Sequence, residues 1–255
     1  MNILFIGDIV GKVGRNAVCD LLSDLKKKYN IDFTIANAEN SAHGKGITSK
    51  IYEELIDAGI NAVTMGNHTY SKKEILDYID NADKMIVPYN IKNRKGEGYR
   101  FFYINNTKIC VINLLGKDLM GDYMDKPYDA MIEILPNIKD SDIKILDFHA
   151  ESTAEKRIFF EIFKNDLDAF VGTHTHIQTA DEDIINDCAF ISDVGMCGSY
   201  KSIIGRDINE SKDMYLYNTK THYTVAESDA IVNACVLEFD DKNKIKNIKR
   251  IQIRP

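Results

Sequence analysis

Short apolar runs alternate with helix-like segments along the first two-thirds of this chain. That alternation restricts it to folds built of βαβ units around a mainly parallel sheet. The runs 3–6, 33–36, 62–65, 143–148 and 167–171 have the length and composition of buried strands. Segments 16–29 and 49–58 read as helices between them. Ser71-Lys72-Lys73-Glu74 matches a capping box and predicts a helix through residue 79, and Ser152-Thr153-Ala154-Glu155 predicts another to about residue 164. Beyond residue 177 the pattern changes, and 184–185, 189–191, 231–239 and 245–253 read as strands of a more antiparallel half. Residues 99–103 and 108–115, joined by Asn105-Asn106, read as a hairpin. No repeat, low-complexity tract or linker interrupts the chain. It is therefore read as one domain over 1–255, with 88–136 as the segment able to form a smaller lobe.

The 255 residues suffice for a sizeable core, and 44% apolar with 28% charged residues is ordinary for a globular protein. A net charge of −7 argues against broad electrostatic binding to nucleic acid or a membrane, so no stable nucleic-acid complex is expected. An anionic substrate then needs a local positive centre such as a metal. The five cysteines are odd in number and lack any C-x-x-C spacing, which fits reduced thiols and neither a disulfide frame nor a zinc knuckle. Met1 to Asp8 lacks the pattern of a signal peptide, and no apolar stretch reaches membrane-spanning length; a cytoplasmic protein is expected.

The strand ends carry the chemistry. The first run ends in Gly7-Asp8, the second leads into Asn37-Ala38-Glu39-Asn40 and the third into Gly66-Asn67-His68. The fourth ends at His149, and the fifth at Gly172-Thr173-His174-Thr175-His176. In open α/β sheets ligands collect at this edge. Singly, each residue has a structural explanation as a turn residue or a satisfied buried imidazole; five strand ends delivering such groups together point to a site. On an extended chain, residues 174 and 176 project to the same side, so both rings can turn toward one point. Imidazole mixed with carboxylate and carboxamide oxygen suits iron, manganese or zinc better than calcium. The candidates are too many for one tetrahedral site and enough for two ions sharing a carboxylate. Such pairs, about 3.5–4 Å apart, act on phosphate esters. Gly7, Gly11 and Gly14 match neither a dinucleotide fingerprint nor a P-loop, so NAD and ATP are not supported. His43-Gly44-Lys45-Gly46 reads equally as a loop closing over substrate or a glycine turn. Segment 195–205, with Tyr200 and Lys201, reads as either a pocket wall or a structural loop, and His222 as a surface histidine.

The series Asp8, Asn37-Ala38-Glu39-Asn40, Gly66-Asn67-His68, His149 and Gly172-Thr173-His174-Thr175-His176 resembles the calcineurin-like metallophosphoesterases. It is more closely similar to the bacterial YmdB-type 2′,3′-cyclic-nucleotide 2′-phosphodiesterase family, in Gly7 to Arg15, Asn37 to Thr48, His149 to Lys156 and Asp193-Val194-Gly195-Met196. The resemblance implies an αββα sandwich, two packed sheets flanked by helices. It implies that Glu39 bridges two ions, one held by Asp8, Glu39, Asn40 and His176, the other by Glu39, Asn67, His149 and His174. The broader superfamily has a histidine where this chain has Val10; the resemblance puts Asn40 in its place, which favours iron, manganese or magnesium over zinc at that ion. It further implies attack of a metal-bridging hydroxide on a small phosphodiester, with His68 protonating the leaving oxygen. Two alternatives stand beside that reading: a phosphomonoesterase of the nucleotidase kind, and a regulatory nucleotide-binding protein with residual hydrolase activity. A homo-oligomer is compatible with each.

Overall fold

The computed structural model describes residues 1–219 and 224–255; His222 lies outside them. Fourteen strands follow in chain order among the described residues: β1 Asn2–Ile6, β2 Asp8–Ile9, β3 Phe33–Asn37, β4 Ala62–Thr64, β5 Met85–Ile86, β6 Tyr99–Ile104, β7 Thr107–Leu115, β8 Ile143–His149, β9 Ala169–Thr173, β10 Asp183–Ile185, β11 Cys188–Ile191, β12 Met196–Ser199, β13 Ala230–Phe239 and β14 Ile245–Ile253. The α-helices are α1 Gly11–Tyr29, α2 Ser49–Asp57, α3 Ile75–Tyr78, α4 Pro127–Ile138, α5 Thr153–Phe163 and α6 Ile208–Tyr217.

Two sheets pack face to face. The first runs β2-β12-β13-β1-β3-β4-β5, with β14 added on β13; the second runs β10-β11-β9-β8-β7-β6. The βαβ part is parallel, through β1-β3-β4-β5 in one sheet and β7-β8-β9 in the other. The C-terminal pair β13-β14 is antiparallel, as the change of pattern predicts, but β11 returns parallel to β9. Strand alternation divides the apolar residues between layers. Ile3 and Phe5 face Ile143, Ile145 and Val171 between the sheets, whereas Leu4 and Ile6 pack under α1 and α2. On the other side Leu146, Phe148 and Phe170 pack under α4 and α5. Strands buried on both faces read as continuous apolar runs, which is why they stand out in the sequence. The fold is an αββα sandwich, and both parallel sets point their carboxyl ends at one rim.

Three local expectations change. Helix α1 begins at Gly11, five residues before its expected start, because a Cβ at Gly14 would lie 2.1 Å from the Cys197 carbonyl oxygen; the glycine that looks like a breaker permits close helix–strand packing. The Ser71 capping box does not form. Ser71 Oγ lies 3.4 Å from His68 Nδ1, and Glu74 accepts hydrogen bonds from the Ser49 amide and hydroxyl at 3.1 and 3.0 Å, leaving only α3 and one 3₁₀ turn (Ile79–Asn81). At the second box Ser152 does cap α5 by accepting from Glu155 N, but the Glu155 carboxylate accepts from Lys117 N and Asp118 N instead of reaching back. The hairpin closes as expected, with Ile104 opposite Thr107 and Asn105 at φ 53°. Both strands join the six-stranded sheet from within the 88–136 segment.

Candidate metal centre

All seven candidate ligands gather at the shared rim, in two groups that meet at Glu39. In the first, His149 Nε2 lies 3.1 Å from Glu39 Oε1, 2.9 Å from Asn67 Oδ1 and 3.0 Å from His174 Nδ1. In the second, Asn40 Nδ2 lies 3.1 Å from His176 Nε2 and 3.2 Å from Glu39 Oε1, and Asp8 Oδ1 lies 3.9 Å from His176 Nε2. Among the described residues, Glu39, His149 and His174 form a group whose ligand atoms all lie within 4.8 Å of one another. Gly66 makes room for this crowding, since a Cβ there would sit 2.4 Å from both Glu39 Oε2 and His149 Nε2. His68 follows Asn67; its amide donates to Glu39 Oε2 at 2.7 Å, and its ring faces the cavity beside the cluster.

The histidine pair is presented differently from the extended-chain expectation. Strand β9 ends at Thr173, and His174 and His176 adopt φ of 99° and 67°. Left-handed backbone at two non-glycine residues is strain of about 1–3 kcal/mol each, held only where the surroundings over-determine it. The turn sends His174 toward His149 and Glu39, and His176 toward Asn40 and Asp8.

Each of the three imidazoles is anchored by its far nitrogen. His149 Nδ1 meets Thr173 Oγ1 at 2.8 Å, His174 Nε2 meets Glu151 Oε2 at 2.9 Å, and His176 Nδ1 meets the Ile204 carbonyl at 2.8 Å. The Thr173 hydroxyl donates its proton to Asp147 Oδ1 at 2.6 Å, so it accepts from His149 Nδ1–H. The inward nitrogens, His149 Nε2, His174 Nδ1 and His176 Nε2, are thereby the ones left to present lone pairs when unprotonated, as in metal-ligating histidines. Two facing ring nitrogens 3.0 Å apart are stable only with a proton between them or a cation shared by both. Asp8 adds a fully buried Oδ1 with no hydrogen-bond partner, while its Oδ2 accepts from His174 N at 3.2 Å. These donors fit cations.

The sequence model of a family described as "YmdB-like protein" matches residues 4–251. The chain belongs to that family. A Bacillus subtilis relative, named 2′,3′-cyclic-nucleotide 2′-phosphodiesterase, is 41% identical over 257 residues, covering 99% of this chain and 97% of its own. A crystal structure described as a novel phosphatase from Mycoplasma pneumoniae superposes with a TM-score of 0.95 at 36% identity, over 99% of this chain and 93% of that one. A Staphylococcus aureus structure described as a putative 5′-nucleotidase reaches a TM-score of 0.63 at 15% identity, over 98% of this chain and 54% of that one, and speaks for the fold alone. The αββα sandwich is thus the calcineurin-like fold.

Several residues that support the YmdB-like centre escape a reading of strand ends. Asp147 is a fully buried acid within the apolar run of β8, and Lys156 is a fully buried lysine on the inner face of α5. A charge at an inward position of an otherwise apolar strand or helix is the signal that could have found both. Asp193, Glu151 and Thr173 leave no such trace. The His43 loop is a closed turn: Ala42 N donates to Gly46 O and Gly44 N to Asn40 O, and only its Gly44 lines the cavity. In segment 195–205 it is Ile203 and Ile204 that line the cavity, while Tyr200 N and Lys201 N bond Asp229 O and Ser228 Oγ. Cys188 and Cys197 are packed in the two helix-side cores. No helix among the described residues is long and apolar enough to cross a membrane.

The cluster's protons are strongly biased. Burial disfavours a charged His149, but Glu39, Asp8 and Asp147 outweigh it and hold the ring up to about 9. Burial, then the charge of His149, push His174 down to about 3. Burial alone would raise Glu39; His149 and His68 outweigh it and hold the carboxyl down to about 2. Burial raises Asp8 to about 6 against the pull of His176 and His149. Cation-free, the cluster therefore keeps a proton on His149 at neutral pH, and a cation held by that ring would have to displace it. A folded pKa raised from 6.5 stabilises fully below 6.5, and that stabilisation is lost as pH rises through 9. The melting temperature of chelator-treated protein is expected to fall between pH 6.5 and 9, with a smaller fall in saturating Mn²⁺. Equal slopes with and without the cation, in a pH-resolved melting series, contradict this coupling.

Proposed function

We propose that this phosphoester hydrolase is a two-metal phosphodiesterase acting on small phosphodiesters of the 2′,3′-cyclic-nucleotide class. The observation that carries the reading is the set of three imidazoles, each anchored from behind, converging with the orphaned Asp8 oxygen on the Glu39 carboxylate. One ion would be held by Asp8, Glu39, Asn40 and His176, the other by Glu39, Asn67, His149 and His174. Contacts of Glu39 Oε1 with both Asn40 and His149 support its bridging role. Asn40 would offer Oδ1, reached by a half-turn of its amide. The mixture of imidazole, carboxylate and carboxamide favours iron, with manganese or magnesium as the alternatives. Two bound cations would supply charge neutralisation at the phosphoryl oxygens and a hydrolytic water of lowered pKa. The substrate class follows the name of the Bacillus subtilis relative.

His68 is assigned the proton donor for the leaving oxygen. Its amide fixes the backbone on Glu39, its ring faces the cavity, and burial lowers its pKa while Glu39 opposes that shift. Such a group contributes about 10²–10⁴-fold, most when the leaving group is poor. Metal-loaded His68→Ala is expected to keep its metal content and most of its turnover of bis-p-nitrophenyl phosphate, but to lose about a hundredfold or more on an alkyl ester. Retention of alkyl-ester turnover sinks the acid role. Faster turnover of p-nitrophenyl phosphate than of its diester by the wild type supports the monoesterase reading instead.

A further inference from the structure

Helix α6 is anomalous in this fold because none of its ten residues is buried. It is tethered by polar contacts: Asp207 caps it by accepting from Glu210 N, Arg206 pairs with Glu210, and Thr224 N donates to Glu210 Oε2 at 2.9 Å. Its apolar side chains take no part in the hydrophobic cores. A ten-residue helix is marginal without packing, and exposed apolar surface beside a cleft marks a binding face. Met214 and Leu216, 42% and 63% exposed, line the same cavity of about 920 Å³ as Glu39, Asn40, His68 and His176. Ile203 and Ile204 extend that apolar wall. The turn at Ile204 is joined to the cluster, because the Ile204 carbonyl accepts the His176 Nδ1 proton at 2.8 Å.

We propose that α6 and the turn at Ile203 and Ile204 form a base subsite, an apolar wall against which the planar heterocycle of a nucleoside phosphate lies while its phosphate reaches the Glu39-centred cluster. The proposal rests on the phosphodiesterase reading for its ligand. A polarisable thioether and branched aliphatic side chains suit the face of an aromatic ring. Lys212 lines the same cavity, and its ammonium would offer donors to the ring's edge. The occupant is the substrate's own base and not a partner protein, because the wall lines the same cavity as the ligand cluster and is joined to it at Ile204. A subsite of this kind discriminates by the presence of a base and tolerates exchange of one base for another.

The test compares wild type with Met214→Ser, Leu216→Ser and the control Tyr103→Ser, an exposed residue on β6. The substrates are adenosine 2′,3′-cyclic phosphate and the methyl riboside 2,3-cyclic phosphate that lacks a base. The two wall variants are expected to lower the ratio of kcat/KM values, nucleotide over baseless diester, about tenfold, chiefly through the nucleotide KM; Tyr103→Ser leaves the ratio unchanged. An unchanged ratio in the wall variants overturns the proposal, as does an equal loss on both substrates. So does a wall variant that alters only the elution volume in size-exclusion chromatography, which makes α6 a subunit contact. If wild type turns over neither diester, the phosphodiesterase reading fails by itself. Calorimetric binding of adenosine 3′-phosphate against ribose 3-phosphate then decides: tighter nucleotide binding lost in the variants upholds the subsite, and no preference for the nucleotide overturns it.

Discussion

Glu39→Gln is expected to abolish metal retention and to cut diester turnover by more than about a hundredfold, the upper end of losses at residues that only orient a ligand. Glu39 is 1% exposed, and His149 and His68 outweigh burial and hold its carboxyl down to about 2, so it is charged at neutral pH. One of its oxygens touches both ligand groups, through Asn40 and His149, while the other accepts the His68 amide. Glutamine keeps the shape and the His68 contact but removes the charge that balances two cations. The variant should therefore fold yet show no rise in melting temperature on adding Mn²⁺, where wild type gains stability by mass action. Elemental analysis and a melting titration read this without any assay of turnover. Metal content and Mn²⁺ response equal to wild type would remove Glu39 from the centre, and with it the two-metal reading.

The second large effect belongs to a residue that touches no substrate. Lys156 is completely buried, and its ammonium donates to Thr173 O and Asp193 Oδ2, both at 2.8 Å. Asp193 in turn accepts from Thr175 N at 2.9 Å and Gly195 N at 2.8 Å. The pair thus ties α5 to the turn that carries His174 and His176, where the backbone is strained. Lys156→Met leaves a buried carboxylate without its counter-charge, which destabilises by about 3–5 kcal/mol. Lys156→Met with Asp193→Asn removes the orphaned charge, and much of that stability is expected to return. Metal affinity should not return with it, because a neutral amide holds the Thr175 amide less firmly. Chemical denaturation and a metal titration on both variants separate the outcomes. A single variant as stable as wild type, or a double variant with full metal affinity, contradicts this positioning role.

Legibility differed by layer. Strands buried on both faces announced themselves as apolar runs, and Asp8, Glu39, Asn40, Asn67, His149, His174 and His176 were visible because each follows such a run. Local propensity failed where a tertiary contact competed for the same atoms. Glu74 left its capping role for Ser49, and Gly14 entered a helix because the Cys197 carbonyl lies against it. Thr173, Glu151 and Asp193 stand within the motifs that carry the resemblance, but their supporting roles, with that of Asp147, went unread, since those roles lie in distances between elements remote in sequence. The Thr173 hydroxyl, for instance, acquires its role only between His149 and Asp147 on the neighbouring strand.

By itself, the order of residues determined which groups reach the rim, because strand period and strand length follow from local apolar patterning. It also determined the chemistry on offer: oxygen and imidazole donors without a cysteine among them. Only the packed sheets decided which donor faces which. A left-handed turn at His174 and His176, locked by Lys156 and Asp193, parts two neighbouring rings between two groups of ligands. Such a conformation is unfavourable for an isolated segment, and contacts from distant parts of the chain hold it in place.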